Sequence, residues 1–142
     1  MTLARAIAEA RRTADLGPVV QRIPYMEWMG IEMRVEGGEV RGLMKQSDML
    51  IGNYVHRALH GGTLGALLES TAVFELLYSA DSENLPRIVN ITIEYLRSGK
   101  DQDTHARAFV EKLGRNVANV RAIAWQSDES KPVAAAQCHF LV

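Results

Sequence analysis

The 142-residue chain, 47% hydrophobic and 23% charged, has the length and composition of one globular domain with one core. Its formal charge of -1, with both signs scattered along the sequence, supplies neither a basic stripe for nucleic acid nor an acidic tail, so long-range steering by charge is not expected. A single cysteine, Cys138, excludes an intrachain disulfide framework and a thiolate metal cluster and fits a reducing cytoplasm.

Leu3, Ile7 and Ala10 recur at helical spacing with Arg5, Glu9, Arg11 and Arg12 between them, which predicts a short amphipathic packing helix from Leu3 to about Ala14. Those charges stand where a secretory signal needs an uninterrupted apolar region, and no later stretch approaches about 18 uncharged apolar residues. A soluble, untargeted, cytoplasmic chain is the expectation. Gly17 to Trp28, with Pro18 and Pro24, reads as a connector into the first strand. From Gly30 to Lys45 apolar and polar residues alternate on both sides of Gly37 and Gly38, a hairpin signature. After an irregular stretch from Gln46 to Leu59, Gly61 and Gly62 open the longest apolar helical pattern, running to about Ala80.

Beyond the break from Asp81 to Pro86, strand-like runs span Arg87 to Leu96, Thr104 to Leu113, Val117 to Gln126 and Lys131 to Val142. In the first, Val89, Ile91, Ile93 and Tyr95 share a face opposite Asn90, Thr92 and Glu94; in the last, Ala134, Ala136, Cys138, Phe140 and Val142 share one. The breaks at 98–101, 114–116 and 127–132 carry turn chemistry too short for parallel crossovers, which predicts an antiparallel meander. A helix apolar on nearly every side must be covered nearly all round, and one curved antiparallel sheet wrapping it is the economical α+β solution.

Within the long helix, the neighbours of Glu69 at three and four residues are Gly65, Ala66, Ala72 and Val73, none with a charge or a side-chain hydrogen bond to offer. Desolvation there raises a carboxyl pKa toward the range of a general base. Two structural readings stand beside the catalytic one: a salt bridge to an arginine, Arg57 among the candidates, or exposure at a gap in the sheet. Gly61 and Gly62 start the helix, where unpaired N–H groups and the positive dipole end suit a developing oxyanion and missing Cβ atoms allow close approach. Asn53, in the preceding loop, is read either as orienting a water or substrate carbonyl or as a turn residue. His56, His60, His105 and His139 include no pair at a recognised metal spacing, and neither a nucleophile elbow nor a phosphate loop nor a Rossmann fingerprint occurs.

The set Asn53, His60-Gly61-Gly62 and Glu69, followed by the runs Asn90 to Arg97 and Lys112 to Asn116, resembles the hotdog-fold acyl-CoA thioesterases of the phenylacetic-acid-degradation type. The resemblance covers about residues 23–142 and leaves residues 1–22 as an N-terminal helical extension. It implies a curved antiparallel sheet around a central helix and hydrolysis of an acyl-CoA to free acid and CoA, without metal or further cofactor. Glu69 would activate water or attack the thioester, the Gly61 N–H would polarise the carbonyl, and Asn53 would hold substrate or water. Sites in the family form between subunits, so the resemblance implies a homodimer or a tetramer built from dimers, with the strand Arg87 to Leu96 at an exposed sheet edge. Binding roles are expected for His60, Gly62 and Val73, with Val73 and Leu76 on the Glu69 face suiting a medium-length aliphatic or aromatic acyl group. Arg57, Arg97, Lys100 and Arg115 are candidate partners of the CoA phosphates. The chain departs from the family pattern in the spacing of Asn53 to His60, one residue longer than in many relatives, and in Ile88, where Ser or Thr is frequent. Two rival functions remain at this point, an enoyl-thioester hydratase or dehydratase on the same fold and a non-catalytic acyl-CoA-binding module. Neither nucleic acid nor membrane is an expected partner.

Overall fold

The computed structural model of the chain describes residues 1–80 and 83–142, so Asp81 and Ser82 of the break before the second half lie outside the described residues. Helix α1, Leu3–Thr13, is capped by Thr2, whose hydroxyl accepts from the Arg5 N–H. It buries Ala6, Ile7 and Ala10 in the same core as the rest of the chain. From its last turn the Arg11 guanidinium donates to the Leu77 carbonyl at 2.7 and 2.9 Å, which satisfies an orphan carbonyl at the end of the central helix.

The connector expected between Gly17 and Trp28 is instead two short helices, α2 (Gly17–Val20) and α3 (Pro24–Met29). Pro18 and Pro24 sit in their first turns, where the missing N–H has no intrahelical partner to lose and the fixed φ is already helical. Strands β1 (Ile31–Glu36) and β2 (Glu39–Met44) form the expected hairpin; Gly37 and Gly38 both have positive φ, 59° and 78°, as a two-residue primed turn requires. The stretch read as irregular contains a single 3-10 turn, Asp48–Leu50, and a small ladder of β3 (Ile51–Asn53) with β4 (Ala58–Leu59).

Central helix α4, Gly61–Ser79, is followed by β5 (Arg87–Tyr95), β6 (Thr104–Leu113), β7 (Val117–Trp125) and β8 (Ala134–Leu141). The main sheet is antiparallel with order β1-β2-β6-β7-β8-β5. Only β6, β7 and β8 form a meander. Strand β5 lies at the far edge, paired to β8, because residues 96–103 do not turn back as a hairpin but cross the sheet end to reach β6. Eight residues reach at most about 27 Å, ample for three strand spacings of about 14 Å in total. The crossing is tied down along its length: Leu96 and Arg97 donate to the Val133 carbonyl, Gly99 accepts from Leu59, and Lys100 bridges to Ala58.

A bulge between Ile88 and Asn90 corrects the expected β5 face. Ile88, Ile91 and Ile93 pack on the core, whereas Val89 is the extra residue and stands 58% exposed. Buried alanines, Ala106, Ala108, Ala122, Ala124, Ala134 and Ala136, line much of the sheet's buried face beside the larger Met44, Val120 and Phe140, and α4 adds Leu67, Leu68, Phe74, Leu76 and Leu77. Helix and sheet therefore approach closely. Among the described residues, no helix is long and apolar enough to cross a membrane.

The closest approach is at Gly42 on β2, where a Cβ would run into the Thr71 hydroxyl and press on Leu67 and Met33. Thr71 cannot step aside, since its buried hydroxyl donates to the Leu67 carbonyl at 2.7 Å. Gly42→Ala is expected to overpack this contact and cost about 1–3 kcal/mol. Denaturant unfolding at fixed protein concentration reads this, and an unchanged midpoint would show that the layers separate more easily than the packing implies.

Candidate active site

Ala66, Glu69, Ser70 and Val73 are the partly exposed residues of one flank of α4, spaced as one helical stripe. This is the side the sheet does not cover. Together with Ile23, Tyr25 and Met26 from the α3 region, and with Leu85 and Pro86, they line a cavity of about 260 Å³. Glu69 is half-buried and, among the described residues, has no hydrogen bond or ion pair. Burial alone pushes its carboxyl above the ordinary range. Cys138, buried on β8, feels the same environment: desolvation first and the charge of Glu69 second push its thiol up to about 11, which leaves it protonated at neutral pH.

Glu75, on the same helix, shows what a structural carboxylate looks like here. Burial raises it too, but its carboxylate accepts from the Val40 N–H at 2.9 Å and lies near Arg107 and Arg41, which oppose the shift. Strand β2 has lost its β6 partner beyond Arg41, so Glu75 takes up a free ladder donor. Glu69 performs no such service.

At the head of α4, His60 is the N-cap; its Nδ1 accepts from the Gly62 N–H at 2.9 Å and its carbonyl accepts from Thr63. The His60 N–H donates to Leu50, and Gly52 lets that backbone pack directly on its own. Among the described residues the Gly61 N–H finds no acceptor. The missing Cβ of Gly61 serves a different contact from the one the sequence suggests, because that space is taken by the Tyr95 ring, whose hydroxyl donates to the Gly61 carbonyl at 3.0 Å. The space beside Gly62 is taken by the His60 ring. Tyr95 is thus a site residue that sequence reading placed only on a strand face; its pairing with Gly61 needed the β5 position to be known.

Glu69 and Gly61 are separated by eight residues of α4, about 12 Å along the axis at 1.5 Å per residue. Within one chain they do not meet at one carbonyl, which requires both groups at about 3 Å. Asn53 is exposed, and its Oδ1 accepts from Val55 and His56 in the β3–β4 turn. Arg57 is not the partner of Glu69. It adopts a positive φ in that turn and donates to Asp101 at 2.6 Å and Asp48 at 2.7 Å, which satisfies its charge locally. The exposed Arg97 and Lys100 lie in the crossing segment near the head of α4, Arg97 donating to the Pro132 carbonyl, whereas Arg115 is in the β6–β7 turn at the opposite end of the sheet. The four candidate cations are therefore not one cluster within a chain.

Because Glu69 is harder to ionise in the fold than in the unfolded chain, the folded state holds its proton more tightly. The stability this confers is complete below about pH 4.3, where the group is protonated in both states, and is lost as pH rises through the raised folded value. Glu69→Gln is expected to be more stable than the parent at pH 7, the difference closing as pH falls toward about 4. Thermal unfolding of both proteins across that range checks it; a variant less stable at pH 7 would reveal a cationic partner for Glu69.

Comparison with known proteins bears on the fold and the family. A crystal structure of a protein from Chromobacterium violaceum superposes with a TM-score of 0.76 at 36% identity, covering 97% of this chain and 96% of that one. The medium/long-chain acyl-CoA thioesterase YigI of Escherichia coli is 25% identical over 137 residues, covering 87% of this chain and 88% of its own length. A phenylacetic-acid-degradation-related protein of Ralstonia eutropha shares the fold with a TM-score of 0.77 at 24% identity, covering 96% of this chain and 98% of that one. The sequence pattern of the thioesterase superfamily matches residues 56–133, from the β3–β4 turn through α4 to the loop before β8, and the chain belongs to that superfamily as a hotdog-fold thioester hydrolase.

Proposed function

We propose that the protein is a homodimeric acyl-CoA thioesterase acting on medium-length aliphatic or aromatic acyl groups, with Glu69 of one subunit and Gly61 of the partner subunit serving the same thioester. The observation that carries this reading is the half-buried Glu69 carboxylate, without a partner among the described residues, beside an apolar cavity. The likeness to an acyl-CoA thioesterase supports the carrier. Dimer formation is supported by β5, an edge strand with an unpaired backbone row and exposed Val89 and Tyr95. Such an edge is a pairing site, and two-fold pairing is the commonest closed arrangement. The same dimers also suit assembly into a tetramer, and a cytoplasmic setting accords with the reduced, buried Cys138.

In the proposed reaction the Glu69 carboxylate, made more basic by desolvation, takes a proton from water as the water oxygen adds to the thioester carbon. The carbonyl oxygen becomes an oxyanion held by the Gly61 N–H and the positive end of α4. Collapse re-forms the carbonyl, breaks the carbon–sulfur bond and returns the proton from Glu69 to the departing CoA sulfur. The acid and the thiol are released. His60 and Gly62 hold the helix head in shape, Val73 lines the acyl side, and the Asn53 turn positions the loop that leads into the helix. Arg97 and Lys100, near that head, are the cations proposed to meet the CoA phosphates.

Glu69→Gln is expected to lower kcat by about 10²–10⁴ with a much smaller change in KM. Gly61→Pro removes only the donor: proline is accepted in a first helical turn, His60 already has the extended backbone that must precede it, and the exposed Tyr95 ring has room to adjust. Both variants should be nearly inactive alone. Co-refolded in equal amounts, they should recover about a quarter of parent activity, since half the dimers are mixed and each mixed dimer keeps one intact two-subunit site. No recovery would place both groups in one chain, and a monomer by light scattering at micromolar concentration would remove the shared site altogether. Lys100→Ala is expected to raise KM for acyl-CoA while sparing kcat; a collapse of kcat at constant KM would unseat the phosphate assignment.

A further inference from the structure

A second cleft of about 490 Å³ lies beyond the Glu69 cavity, at the far end of α4, lined by the apolar Leu76, Leu77, Ala80, Leu141 and Val142 together with the polar Asn84 and Arg87. The two cavities have two residues in common, Leu85 and Pro86, which stand between α4 and the start of β5. From Glu69 to Ala80 the helix advances about 16 Å, so the second cleft lies further along α4 than the first, on the other side of Leu85 and Pro86. We propose that Leu85 is the partition that sets acyl chain length: it closes the Glu69 cavity from the larger cleft and limits how many methylenes can be buried. This rests on the acyl-CoA reading above.

Three features make Leu85 the partition. Its side chain is partly buried against the core, so it has a defined position. Pro86, which follows it, fixes its own φ and holds residue 85 in the extended region, so the wall is a stiff segment entering β5. Beside Asn84 and Arg87, the cleft beyond the wall has an apolar side: Leu76 and Leu77 come from the buried side of α4, and Leu141 and Val142 from the residues at the end of β8. Hydrocarbon laid against that apolar side is removed from water, and burial of each further methylene raises kcat/KM by roughly fourfold as long as space remains.

The test is a chain-length profile of kcat/KM with saturated acyl-CoAs, read by release of free thiol, for the parent and Leu85→Ala. The variant is expected to shift the maximum to longer chains, gaining roughly fourfold for each added methylene that becomes buried. Leu85→Val, a milder truncation that secures the test if the alanine variant folds poorly, should show the same shift at smaller amplitude. Adding Val142→Phe to Leu85→Ala, on the exposed chain end that lines the second cleft, should cancel the gain. A folded Leu85 variant with the parent profile overturns the partition and leaves thioester hydrolysis standing. A gain that survives Val142→Phe unchanged places the longer tails outside the second cleft and overturns it as well. A parent enzyme that releases no thiol from any acyl-CoA overturns the underlying reading, and the partition with it.

Discussion

A helix without a polar face has no stable place at a surface, and α4 is such a helix. Its burial is the constraint on which the other elements depend. The sheet must curve around it, the concave lining must be small enough for close contact, and the strands must supply alanine where a free-standing sheet would use larger residues. Where approach is tightest even alanine is too large, hence Gly42 on β2 beneath Thr71, while Gly61 and Gly65 on α4 make space for the Tyr95 and Ile93 side chains of β5. Edge strand β5 is thereby seated along the N-terminal half of the helix. A flank of α4 left partly open carries Ala66, Glu69, Ser70 and Val73.

That open flank explains the chemistry of Glu69. A fully covered carboxylate without a partner would carry a desolvation cost the fold could not sustain, and a fully exposed one would have ordinary basicity. Glu69 lies between these limits. Glu75, with similar burial, is still raised, but the Val40 N–H and nearby arginines oppose burial and the Glu39 charge, and its carboxylate finishes the β2 ladder. Two glutamates less than two turns apart on one helix thus have opposite standing, and the difference lies in the donors opposite them.

This also marks what could be read in the sequence. The helix, the hairpin turn at Gly37 and Gly38, the strand runs and the isolation of Glu69 are local properties, visible in spacing alone. Strand order is not local: residues 96–103 have the composition of a turn but act as a crossing, because β8 and β7 fill the place beside β5. The Val89 bulge was hidden for the same reason, since strict alternation places Val89 with Ile91 and only pairing with β8 shows the extra residue. Pro18 and Pro24 marked breaks in the pattern and proved to be helix starts, a distinction that depends on backbone angles rather than composition. Arg57 and Asn53 are held by partners close in space, Asp101 and the turn backbone, and a candidate list built on residue type alone has no access to that pairing.

Helix rigidity links these observations to the proposed mechanism. Because α4 is straight and internally hydrogen-bonded, it fixes the spacing between its N-terminus and Glu69 at about 12 Å, and no side-chain rotation brings the two to one carbonyl. Under the two-subunit reading this separation has a use. In that reading a two-fold axis beside β5 would bring the head of one α4 to the middle of the other, and the oxyanion donor and the base would each be presented by a rigid element on its own subunit. Association would also cover the flank that a single chain leaves half open, so the desolvation that already raises Glu69 would deepen where substrate excludes water. A lone subunit would then hold a carboxylate without its oxyanion donor, and the thioester would be hydrolysed only where two copies meet.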